Sequence, residues 1–121
     1  MEKEALITLK SKDMMQKYKV KLHEEDHFYR YNEQTEKETL VEFDTEKNIL
    51  KREDQELSME YLFIEGKTTI GKVYIKSLKK YIDVIIKTDK ITKTDKSVNI
   101  KYDVEDNLYE YNIDMEWSIW V

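Results

Sequence analysis

Tyr109-Glu110-Tyr111-Asn112-Ile113-Asp114-Met115-Glu116-Trp117-Ser118-Ile119 decides the fold of this chain. Odd positions are apolar or aromatic and even positions are polar. Successive side chains of a strand point to opposite faces, so this stretch carries one dry face and one wet face. Wound as a helix, it would scatter Glu110, Asn112, Asp114 and Glu116 over every side and leave no face to bury.

The same period runs upstream. Val98, Ile100, Tyr102 and Val104 alternate with Asn99, Lys101 and Asp103, and Tyr18, Val20 and Leu22 alternate with Lys17, Lys19 and Lys21. Weaker strand patterns lie at 5–11, 27–32, 39–43, 49–53, 56–64, 68–76 and 81–88. Short polar breaks separate them at Lys12-Asp13, 24–26, Asn32-Glu33, 44–48, Glu53-Asp54, Glu65-Gly66, 89–96 and 105–107. Strands recurring every ~8–12 residues predict an all-β protein of about ten strands. Nothing of helical period is long enough for a parallel βαβ unit. Tight hairpins without long crossovers favour up-and-down order over a Greek-key sandwich. Closure would remove the exposed edges, so the expected fold is a closed antiparallel barrel. Its opening strand near Ile7 should then pair with its closing strand near Ile113.

Composition narrows the function classes. The 121 residues predict one domain over 1–121. Charged residues make up 39% of the chain, but nine Tyr, two Trp and three Phe alternate with them, the pattern of a sheet with one wet face rather than of disorder. The net charge of −5 comes from interleaved acid and base, which argues against nucleic-acid and membrane-surface partners. With no cysteine there is no disulfide or thiolate metal site. The opening Met1-Glu2-Lys3-Glu4 has no apolar signal-peptide core and no apolar run is of membrane-spanning length, so the expected location is the cytoplasm.

Several segments resemble a known family. The opening Ala5-Leu6-Ile7-Thr8-Leu9, the Ile49-Leu50-Lys51-Arg52 strand and Gly66 following Met59-Glu60-Tyr61-Leu62-Phe63 match it in position. So do Ile100-Lys101-Tyr102-Asp103 and Tyr111-Asn112-Ile113-Asp114-Met115. From Ile7 to Trp117 the chain resembles the YwiB-like family of uncharacterised bacterial proteins. The resemblance implies a lipocalin-like (calycin-like) barrel and implies no activity or site residues. Where the family pattern leads one to expect glycine, this chain has Glu53-Asp54 after Arg52, and Ser77-Leu78-Lys79-Lys80 before Tyr81.

Candidate chemistry is sparse. Gly66 and Gly71, the only glycines, cannot build a phosphate cradle, and no nucleophile elbow or dinucleotide fingerprint is present. Acidic residues fall on polar strand phases or in turns, as a solvated face requires, so no enzymatic activity is expected and no cofactor. His23 and His27 flank Glu24, Glu25 and Asp26 in an acidic turn. Two imidazoles on a loop do not make a closed four-ligand site, so no metal is expected there. Tyr18, Tyr61, Tyr102, Tyr109 and Tyr111 share the apolar phase, with Tyr29 and Tyr31 alongside. Their hydroxyls need partners if buried. They either line a ligand cavity or reach each other across a filled core. Arg52 shares the phase of Leu50 and should point inward, toward a ligand anion or an internal carboxylate or phenol. Trp120, opposite in phase to Trp117, is a candidate contact residue on the outer surface or part of a terminus folded over the barrel end. The sequence thus predicts a barrel that binds a small amphipathic molecule among Tyr18, Tyr61, Tyr102, Tyr111 and Arg52. The alternative is a filled barrel acting as a protein-interaction module or homodimer.

Overall fold

The computed structural model describes residues 2–34 and 38–116. Ten antiparallel strands follow one another around a closed barrel: β1 (Glu2–Ser11), β2 (Met15–Glu25), β3 (Phe28–Gln34), β4 (Glu38–Asp44), β5 (Ile49–Glu53), β6 (Leu57–Leu62), β7 (Thr68–Ile75), β8 (Lys80–Lys93), β9 (Ser97–Val104) and β10 (Asn107–Asp114). Each pairs with its sequence neighbours, and β1 closes on β10 with Ile7 directly opposite Ile113. The expected up-and-down barrel and its closing seam are both present. Among the described residues no helix is long and apolar enough to cross a membrane.

Three turns differ from expectation. Residues 24 and 25 belong to β2, so the first long hairpin turns at Asp26-His27, with Asp26 in a left-handed conformation (φ 52°). Asn32 and Glu33 are not a turn: β3 runs through them to Gln34. The stretch from Asp89 to Lys93 is strand, because a β-bulge between Thr88 and Lys90 inserts Asp89 into β8. The bulge shifts the inward phase from even to odd positions, from Ile86 and Thr88 to Ile91. That shift hides the rest of the strand from a period-two reading.

The positions where glycine was expected have other solutions. Asp54 Oδ1 accepts the amides of Glu56 (2.7 Å) and Leu57 (2.8 Å), so a side chain closes the β5–β6 turn. In the β7–β8 turn Lys79 itself takes the left-handed conformation, at φ 51°.

The core is layered along the barrel axis. At one end Ile7, Leu22, Phe43, Phe63, Ile86, Ile100 and Ile113 are completely buried and fill the interior. Beyond these the inward residues are Leu9, Val20 and then Tyr18, Val41, Tyr61, Tyr102 and Tyr111. Filling is incomplete at this second level, and that is where the site lies.

Candidate functional site, a tyrosine-lined cavity

Strand alternation carries Tyr18 inward on β2, Tyr31 on β3, Arg52 on β5, Tyr61 on β6, Tyr102 on β9, and Tyr109 and Tyr111 on β10. All of them line one interior cavity of about 190 Å³, closed elsewhere by Leu9, Val41, Leu50, Met59 and Val104. Tyr18, Tyr61, Tyr102, Tyr111 and Arg52 are therefore brought together in one place. Tyr29 is buried but does not line it.

Glu33 is the member that the sequence reading missed. It continues the inward phase of Tyr29 and Tyr31, but lay in what read as a turn. Its side chain is only 8% exposed. One carboxylate oxygen accepts the Tyr18 hydroxyl at 2.5 Å, and the other accepts Nη2 of Arg52 in an ion pair. This bridge crosses a divergence in the wall. The pairing of β2 with β3 covers only His23–Glu25 against Phe28–Arg30. Beyond it the two strands separate, and the Tyr18–Glu33 bond spans the gap.

Deeper in, the hydroxyls of Tyr31 and Tyr111 bond each other at 2.5 Å. An aromatic run crosses the floor: Phe63 lies 4.8 Å from Tyr102 between ring centres, and Tyr102 stacks on Tyr109 at 5.6 Å. Tyr61 packs close to β7 at Gly71, which has no side chain. A Cβ there would sit 2.7 Å from Tyr61 Cδ1 and 2.8 Å from Ile86 Cδ1.

Burial holds the phenols neutral. It is the leading cause of raised pKa at Tyr18, Tyr31, Tyr61, Tyr102 and Tyr111, and the Glu33 carboxylate adds to the effect at Tyr18. The hydroxyls of Tyr61, Tyr102 and Tyr109 make no hydrogen bond to a described residue. Arg52 Nε is buried and likewise has no partner.

A larger concavity of about 970 Å³ lies on the outer face, over Lys21, Arg30, Glu42, Lys51, Glu60 and Lys72. Many of its charges are already matched across strands, Arg30 to Glu42 at 2.7 Å, Lys72 to Asp83 at 2.7 Å and Lys51 to Glu60 at 3.9 Å. The interior cavity, though smaller, is lined by the buried donor without a partner, Arg52 Nε. The two concavities share Tyr31, Val41, Arg52 and Met59, so Arg52 stands between them.

The histidines do not converge. His23 faces the outer concavity, 3.6 Å from Glu25. His27 joins Asp44 and Glu46, ligand atoms of the three lying within 4.8 Å of one another. Its Nδ1 faces Glu46 at 3.5 Å while its Nε2 faces Asp44 at 3.7 Å. Asp44 Oδ1 is already taken by the amides of Glu46 (2.9 Å) and Lys47 (3.0 Å). Burial pushes the Asp44 carboxyl up, but those amides and His27 together hold it below its ordinary value. The cluster closes the β4–β5 turn. Trp117 and Trp120 lie outside the described residues, so the contact surface expected at Trp120 has no structural account.

No family model matches this chain, and no curated protein matches it. Among solved structures, the crystal structure of the YwiB protein from Bacillus subtilis is similar to it, with a TM-score of 0.66 and 17% sequence identity over 93% of this chain and 89% of that one. At that identity the likeness concerns the fold alone, and the chain has a YwiB-like β-barrel fold.

Proposed function

We propose that this barrel binds one small amphipathic molecule in the cavity among Tyr18, Tyr61, Tyr102 and Tyr111, with Arg52 at its polar end. One observation carries the reading. Arg52 Nε is buried without an acceptor, beside three phenol hydroxyls that also have no partner among the described residues. A buried unsatisfied donor costs about 1–3 kcal/mol, so a core that merely had to be filled would not leave Arg52 Nε in this state. The surroundings suit such a guest: apolar walls with a few convergent polar groups. The lipocalin-like barrels that the chain resembles in pattern also hold single small ligands inside.

The outer surface supports a second reading, a protein-interaction module or homodimer. Ile70 and Ile85 sit directly opposite each other on β7 and β8, 59% and 49% exposed, with the Tyr74–Tyr81 ring pair further along the same hairpin.

Mass spectrometry of molecules retained by gently purified protein tests the first reading. We expect one small organic species at near-stoichiometric amount, lost in Val104→Trp, which fills the cavity. A preparation that retains nothing and sediments as a stable dimer would overturn ligand binding and favour the second reading.

A further inference from the structure

We infer that the guest is a compact monocarboxylic acid, its carboxylate held by Arg52 and the phenols of Tyr61, Tyr102 and Tyr109, its apolar body against Leu9, Leu50 and Val104. This rests on the cavity reading above and narrows it to a ligand class.

Size sets the first limit. An apolar cavity of about 150 Å³ admits benzene. The 190 Å³ found here leaves room for one ring, or an aliphatic chain of similar volume, plus a small polar group.

The balance of donors and acceptors sets the second. Among the described residues Glu33 is the carboxylate of the lining, and each of its oxygens already accepts one hydrogen bond, one from Tyr18 and one from Arg52. What remains is Arg52 Nε and the hydroxyls of Tyr61, Tyr102 and Tyr109, four groups able to donate. A carboxylate offers about four acceptor positions, whereas a carbonyl or an alcohol oxygen offers two. The site therefore matches a carboxylate better than a ketone or an alcohol, and hydrogen bonds to an ionised acceptor are the stronger ones.

Charge sets the third. Among the described residues Arg52 is the only cation in the lining, and Glu33 already sits on it. A phosphate dianion would enter without a second cation to meet it. A carboxylate brings a single charge, which the phenol dipoles and the open edge of the guanidinium can share.

The test is calorimetric titration of the full chain near neutral pH with benzoate, benzyl alcohol and phenyl phosphate as probes of matched shape. Benzoate should bind at least tenfold more tightly than either of the others. Arg52→Lys should weaken benzoate at least tenfold and leave benzyl alcohol within about twofold, because lysine keeps the charge but has no Nε–H edge. If Arg52→Lys melts too early to be titrated, the double variant Tyr61→Phe/Tyr102→Phe removes two of the donors and should weaken benzoate at least tenfold. Benzyl alcohol binding as tightly as benzoate would overturn the carboxylate and leave the cavity reading intact. Phenyl phosphate binding most tightly would overturn the charge argument. Silence from all three probes, with a retained molecule found by mass spectrometry, overturns the ligand class alone. Silence together with no retained molecule removes both readings.

Discussion

Tyr31 and Tyr111 show how a buried residue here depends on its partner. Their hydroxyls bond each other inside the barrel, where both side chains are almost fully covered. Removing one oxygen leaves the other desolvated and alone, while removing both leaves an apolar contact of nearly the same shape. Tyr31→Phe and Tyr111→Phe should each destabilise by about 1–2 kcal/mol, and the double variant by clearly less than their sum. Urea unfolding of the four proteins measures this, and strict additivity would mean that the two hydroxyls are not coupled. Glu33 obeys the same rule with charge added, for its carboxylate is 8% exposed and would be poorly solvated without Arg52.

Hairpins are the units that build this barrel, and their turns carry the local cost. Lys79 holds φ at 51° in the β7–β8 connection, and Glu105 and Asp106 take φ 50° and 67° in the two-residue turn between β9 and β10. A side chain in the left-handed region costs about 1–2 kcal/mol, part of which glycine gives back in unfolded-state entropy. Lys79→Gly should therefore raise stability by about 0.5–1 kcal/mol, read as a higher urea midpoint with an unchanged slope. A lowered midpoint would show that the Lys79 side chain makes a contact worth more than the strain. At the opposite side of the sheet, the short β2–β3 pairing shows what happens when a hairpin stops early: the wall opens, and Tyr18 with Glu33 takes over from the backbone.

At the scale of the whole molecule the buried phenols link stability to alkaline pH. Burial raises the pKa of Tyr31, Tyr102 and Tyr111 in the fold, while an unfolded tyrosine ionises near pH 10. Below about pH 10 both states hold the proton and stability is unaffected. Above it the unfolded state alone gives the protons up. Each such phenol then removes up to about 1.4 kcal/mol of stability per pH unit. The barrel should stay folded at pH 9 and unfold cooperatively between about pH 11 and 12, with phenolate absorbance rising in step with the loss of ellipticity. Smooth ionisation near pH 10 in a protein that keeps its structure would mean that the tyrosines are open to water.

Period-two alternation alone determined that this chain is all-β, roughly how many strands it has and which tyrosines face inward, because strand geometry ties sequence parity to sheet face. It also placed Arg52 inside, through its shared phase with Leu50, and closure then required the strand near Ile7 to pair with the strand near Ile113, without fixing their register. Parity says nothing about register across strands that are not neighbours in the chain. Only the tertiary structure could bring Glu33 of β3 to Arg52 of β5 or set Tyr31 against Tyr111, and Tyr18 meets Glu33 only because the β2–β3 pairing stops early. Nor does parity survive an inserted residue, so the bulge at Asp89 concealed the second half of β8. Whether the inward tyrosines filled the barrel or left room was decided by volumes summed around ten strands, a property of the closed sheet that no single segment carries.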